Sequence, residues 1–234
     1  MKVAIVADVH GNLPALEAVV ADLGVERPHL VVHGGDLVLN GPRPAEVLDL
    51  VRELGWPGVL GNTDEVLWQI PERLPERLRA FFVRAAEATR GMLGEDRLAW
   101  LRRLPPEWRS QDLLLVHAAP GDVWGFVDAG APDQELAATF GGQGAGMVVY
   151  CHIHKALVRE LPGLTVANTG SVSIPADGDW RASYLIVEDG HPRHRRVEYD
   201  LERAIADLRA SGYPAGEELA EMQRTGGFTP RRLL

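Results

Sequence analysis

The sequence predicts an α/β protein built on strands buried on both faces, and three observations carry that expectation. Short unbroken apolar runs recur at residues 3–7, 30–32, 59–60, 113–116, 147–150, 164–167 and 184–187, too short for helices and lacking the alternation of a half-solvated sheet. Leu13, Leu16, Val20 and Leu23 fall between the first two runs at helical spacing, and residues 44–54 predict a second helix. The N-terminal third therefore reads β-α-β-α-β and implies a parallel sheet. Polar residues follow six of the seven runs directly, at the end of an open sheet where ligands bind.

Taken in order, residues 3–7 open the first of seven expected strands. Asn12 and Pro14 suit the cap and first turn of the helix behind it, and Gly24 suits its stop. Residues 64–104 carry Leu67, Leu74, Leu78, Phe81, Phe82, Leu98 and Trp100 without strand alternation, which predicts a helical insertion forming a cap beside the site. Asp177-Gly178-Asp179 and Asp189-Gly190 supply turns that pair 184–187 with 193–199 as a hairpin. Two helices, near 201–210 and 215–224, occupy the C-terminal 200–234, and the tail after Gly226 is expected to fray. Neither repeat nor linker divides residues 1–234, which are read as a single domain.

A chain of 234 residues with 46% hydrophobic composition has enough apolar surface for one good core. No stretch approaches the roughly 20 unbroken apolar residues that span a bilayer, and the N-terminus runs into a strand, not a signal peptide. Cys151 is the only cysteine, so no intrachain disulfide forms and a cytoplasmic location is expected. A net charge of -9 argues against long nucleic acid and anionic membrane as partners and favours small substrates; a homo-oligomer is left open.

The polar residues at the strand ends specify chemistry. Asp8-Val9-His10-Gly11-Asn12 follows the first run, Gly34-Gly35-Asp36 the second and Gly61-Asn62-Thr63-Asp64 the third. His117 follows the fourth, His152-Ile153-His154 the fifth and Asn168-Thr169-Gly170-Ser171 the sixth. Imidazoles and carboxylates without a set of thiolates favour a catalytic divalent-metal site over a structural zinc cage. Residues two apart in extended chain share one side, so Asp8 with His10, and His152 with His154, are expected to chelate as pairs. His29, His33, His191 and His194 are read as structural.

In this order the segments resemble the calcineurin-like metallophosphoesterase superfamily, whose motifs run Asp-x-His, Gly-Asp, Gly-Asn-His-Asp/Glu, a lone His and Gly-His-x-His. The likeness spans roughly residues 3–172 and is nearest the small bacterial and archaeal phosphodiesterase-like branch, whose Asp-Val-His-Gly-Asn, Gly-Asp-Leu-Val and Asn-x-Gly-Ser-Val segments recur here. The resemblance implies a four-layer α-β-β-α sandwich with a helical insertion. It further implies one metal on Asp8, His10, Asp36 and His154, and a second on Asp36, Asn62, His117 and His152, with Asp36 bridging. Two divalent ions, manganese first, with iron, zinc, nickel or cobalt as alternatives, would hold a hydroxide between them that attacks phosphorus.

The implied activity is hydrolysis of small phosphodiesters or phosphomonoesters, with Asp8, Asp36 and Asn62 in catalytic positions and Asn12, Asn168 and Ser171 as candidate substrate contacts. For the last three, a helix cap and a turn are equally good assignments. A nucleotidase or dinucleotide polyphosphate hydrolase, stacking a base on Trp68, Phe81, Phe82 or Trp124, is the second possibility. A non-catalytic scaffold, as in the retromer subunit of this family, is the third, but that subunit's ligand set is incomplete and all seven residues are present here. Thr63 departs from the family's motif histidine and removes its imidazolium acid, leaving Asp64, His33, a bound water or the substrate to protonate the leaving group. Cys151 replaces the glycine of the last motif and is expected to be packed, not reactive.

Overall fold

The computed structural model describes residues 1–227. In chain order the elements are β1 (Lys2–Val6), α1 (Leu13–Glu26), β2 (Leu30–His33), α2 (Pro44–Glu53), α3 (Asn62–Glu65), α4 (Glu76–Leu93), α5 (Glu95–Leu101), β3 (Glu107–Ser110) and β4 (Leu113–Val116). There follow α6 (Asp133–Phe140), β5 (Met147–Tyr150), β6 (Leu157–Leu161), β7 (Leu164–Asn168), β8 (Ala182–Glu188), β9 (His191–Val197), α7 (Leu201–Ser211) and α8 (Gly216–Thr225). One sheet runs β2-β1-β8-β9 and the other β3-β4-β5-β7-β6.

Alternation along each strand builds the layers. Val3 and Ile5 of β1 point into a core between the sheets, where they meet Leu113 and Leu115 of β4 and Val149 of β5. Ala4 and Val6 point the other way, into a core shared with α1, α2, α4, α7 and α8. Leu114, Val116, Val148 and Tyr150 similarly turn outward to Leu136 and Phe140 of α6. Strands covered on both faces have no solvent side to mark with polar residues, which is why their sequence runs are continuous. The result is the expected four-layer α-β-β-α sandwich.

Both sheets are mixed. The parallel pairs are β1 with β2, β4 with β5 and β5 with β7, while β3, β6, β8 and β9 join antiparallel. The run at 59–60 is not a strand: the chain makes one bridge, Gly58 to His33, before Leu60 donates to the carbonyl of Pro105. In its place are two strands at sheet edges, β3 and β6, whose half-exposed residues interrupt the apolar signal. Helix α1 passes through Gly24 and ends at Arg27, whose left-handed backbone (φ 49°) lets its N–H reach the carbonyl of Leu23. The β8–β9 turn places Asp189 and Gly190 both at positive φ, 51° and 83°, the requirement of a two-residue hairpin. The expected fraying of the tail concerns residues that, from 228 on, lie outside the described ones.

Candidate metal centre

The polar ends of β1 and β2 are laced together by backbone. Asp8 N–H donates to the carbonyl of Gly35, His10 N–H to that of Asp36 and Gly11 N–H to that of Leu37, at 3.1, 3.0 and 2.8 Å. Asp8, His10, Asp36, His152 and His154 all have positive φ, between 47° and 66°. The chelating pairs are therefore aimed by left-handed residues, not by extended chain as their spacing implied. Such conformations are costly outside glycine and cluster at functional sites.

The residues gather in two groups that share Asp36. Asp8, His10, Asp36 and His154 each offer a ligand atom within 4.8 Å of the others. Within that group His154 Nε2 lies 3.3 Å from Asp8 Oδ1, His10 Nε2 3.8 Å from Asp36 Oδ2, and the two Nε2 atoms 3.3 Å apart. On the other side His117 Nε2 stands 3.4 Å from Asp36 Oδ1 and 2.8 Å from Asn62 Oδ1, and His152 Nδ1 is 2.9 Å from the same Asn62 oxygen. Each oxygen of Asp36 thus faces a different group. Glycine is needed nearby: a Cβ on Gly61 would lie 2.1 Å from Asp36 Oδ1.

Backbone carbonyls fix three of the imidazoles. Nδ1 of His10, His117 and His154 lies 2.9, 2.8 and 2.7 Å from the carbonyl oxygens of Leu39, Gly34 and Ile174. A carbonyl only accepts, so Nδ1 carries the proton and the lone pair of each neutral ring sits on Nε2, facing the cluster. His154 Nε2 faces both His10 Nε2 and Asp8 Oδ1, each at 3.3 Å, so imidazole and carboxylate converge on one buried point. A cation suits such a point, and the donor set of imidazole, carboxylate and amide oxygen suits divalent manganese, iron, zinc, nickel or cobalt.

Burial lowers the pKa of His10 despite the nearby Asp36, and burial with the neighbouring His117 pushes His152 down to about 4. Burial also disfavours ionisation of Asp36, but His117, His10, His152 and the Thr63 N–H outweigh it and lower its pKa. For His154, burial is outweighed by the charge of Asp8 and by hydrogen bonds, raising its pKa. Burial thus holds His10 and His152 toward the neutral form, and the neighbouring histidines hold Asp36 toward the carboxylate, the forms that bind a metal.

The remaining expected residues brace this cluster. Asn12 caps α1 by accepting from Ala15 N–H and donates to Ser173. Ser171 Oγ donates to the Asp8 carbonyl and accepts from Ser173 and Ile174 N–H. Asn168 joins the Cys151 carbonyl to the Gly170 N–H. Their polar atoms are engaged with the loops that carry Asp8 and the His152 segment, and none of the three lines the cavity that opens on the cluster. Cys151 is fully buried in the inter-sheet core, where burial raises its thiol pKa.

A cavity of about 390 Å³ opens on His10, Asp36, Asn62, His152 and His154 and continues to Thr63, Phe82, Trp124 and Phe126. The sequence does not single out Phe126, although an aromatic beside Trp124-Gly125 was its available signal. It had no signal for the carbonyls of Gly34, Leu39 and Ile174, because backbone acceptors are common to every residue. Trp68, one of the expected stacking residues, instead lies under the guanidinium of Arg102, 5.6 Å from its ring centroid.

A sequence model of the calcineurin-like phosphoesterase superfamily domain matches residues 1–189. The Methanocaldococcus jannaschii protein MJ0912 is 25% identical over 242 residues, covering 93% of this chain and 96% of that protein. Among solved structures, the metallophosphoesterase from Sphaerobacter thermophilus is 29% identical with a TM-score of 0.80, covering 97% of this chain and 100% of its own. The hypothetical protein PH1004 from Pyrococcus horikoshii OT3 shares the fold, with a TM-score of 0.84 at 20% identity, covering 97% of this chain and 99% of its own. The buried Asp/His cluster sits where the sandwich directs its loops, and on the match over its first 189 residues the chain belongs to the calcineurin-like phosphoesterase superfamily.

Proposed function

We propose that this chain is a two-metal phosphoesterase of small phosphodiesters or phosphomonoesters. One divalent ion is assigned to Asp8, His10, Asp36 and His154 and the other to Asp36, Asn62, His117 and His152, with manganese the first candidate. The observation that carries this is the division of Asp36, whose Oδ2 faces His10 and whose Oδ1 faces His117, at 3.8 and 3.4 Å. Ions held there supply Lewis-acid stabilisation of phosphoryl charge and activation of water.

The chain's own residues hold that arrangement. Thr63 N–H donates to Asp36 Oδ1 at 2.9 Å and fixes the carboxylate plane. Asp64 accepts from Leu37 N–H on one oxygen and Gly61 N–H on the other, at 3.0 and 3.3 Å. Burial and the nearby Asp36 raise its pKa to about 7, but both its oxygens are committed to backbone and it does not line the cavity. His33 packs on Trp100 and is likewise absent from the cavity wall. Thr63 does line it, with a buried hydroxyl that has no partner. Protonation of the leaving oxygen is therefore assigned to solvent or substrate, favouring esters with good leaving groups.

The test is hydrolysis of bis(p-nitrophenyl) phosphate by chelated protein reconstituted with Mn²⁺, Co²⁺, Ni²⁺ or Zn²⁺. Metal-dependent turnover that falls by at least about a hundredfold in Asp36→Asn is expected. Inactivity with every ion would favour a metal-binding scaffold instead.

A further inference from the structure

The cavity beside the metal cluster is lined on its outer side by apolar side chains that the proposed chemistry does not use. Leu74, the α4 residues Leu78, Phe81 and Phe82, and Trp124 and Phe126 all line it. Phe82 and Trp124 meet edge to face, ring centroids 5.7 Å apart, and the indole N–H of Trp124 is anchored 2.7 Å from Glu65 Oε2. Phe126 is 66% exposed, yet its ring lies edge-on to His152 at 6.3 Å. An aromatic left open to solvent against an assigned metal ligand loses hydration whenever an apolar group enters the cavity.

Beyond the metal cluster, the charged residues of the lining are Asp128 and Lys155, whose Nζ is 3.9 Å from Asp128 Oδ2. A cavity of roughly 150 Å³ holds a benzene ring. The 390 Å³ here therefore accommodates a phosphoryl group and one ring system.

We propose that this wall is the specificity pocket for the ester group of the substrate, selecting phosphate esters that carry one compact apolar or aromatic substituent. The inference rests on the two-metal assignment, which places the phosphoryl group at the polar end. Continuity of the apolar wall with His10, Asp36 and His152 in a single cavity fixes what occupies it.

The test compares methyl, phenyl and 1-naphthyl phosphate with inorganic phosphate as ligands of the Mn²⁺-loaded protein, by calorimetry and by quenching of tryptophan fluorescence. The aryl esters are expected to bind at least about tenfold more tightly than methyl phosphate, with quenching that disappears in Trp124→Phe. Leu78→Asp and Leu74→Asp, each at a partly buried position whose fold is checked by its melting temperature, are expected to bring the aryl-to-methyl ratio within about twofold of unity. If inorganic phosphate and methyl phosphate bind but aryl esters gain nothing, the pocket assignment is overturned and the metal assignment stands. If no phosphate species binds the metal-loaded protein, both fall.

Discussion

Asp8 concentrates the tension in the cluster, because its carboxylate is fully buried close to Asp36, with His154 Nε2 at 3.3 Å facing one of its oxygens. A buried carboxylate without a full set of donors costs about 1–3 kcal/mol. Function and stability of the metal-free chain therefore pull in opposite directions. At alkaline pH, where His154 is neutral, Asp8→Asn is expected to raise the melting temperature of chelated protein and to abolish the further rise that Mn²⁺ gives wild type. A chelated variant that melts below wild type would mean that Asp8 is already satisfied. Six of the seven ligand candidates stand in the sequence as carboxylate or imidazole at successive strand ends, whereas the assignment of Asn62 rests on the family resemblance. Their aim was not legible there. Positive φ at Asp8, His10, Asp36, His152 and His154 leaves no mark in residue types that also populate ordinary backbone.

At the scale of elements, legibility followed burial. Strands β1, β4, β5 and β7, covered on both faces, were evident as apolar runs, and α1 announced itself through Asn12 and Pro14. Edge strands β3 and β6 were missed because Glu107, Arg109, Arg159 and Glu160 break the apolar signal, while their pairing is supplied by β4 and β7. The 59–60 run misled in the other direction, since Pro57, Gly58 and Gly61 leave too little chain between them for a ladder. Helix α4 matters beyond packing: its Leu78, Phe81 and Phe82 belong at once to the core and to the cavity wall. That dual membership ties the selectivity proposed for the pocket to an element of the main core.

Across the whole molecule, burial also takes in a histidine outside the metal cluster, His33, whose ring packs on Trp100. Among the described residues neither of its ring nitrogens has a hydrogen-bond partner, and burial pushes its pKa down to about 3. Below its ordinary value of about 6.5 the unfolded chain takes up a proton that the folded chain refuses. The contribution to stability is therefore complete above about pH 6.5 and declines as the pH falls toward 3, by about 2 kcal/mol at pH 5. Urea unfolding at pH 7 and pH 5 is expected to show this loss, with His33→Leu shallower by that amount. Equal slopes in the two proteins would remove His33 from the acid sensitivity.

Metal stoichiometry bears on the whole arrangement. The most direct measurement is a calorimetric Mn²⁺ titration of chelated protein, paired with metal analysis of the purified product. Two sites sharing Asp36 are expected to take up two ions per chain, and Asp36→Asn is expected to lose binding at both positions. A single ion per chain, or an Asp36→Asn variant that still binds two, would contradict that sharing.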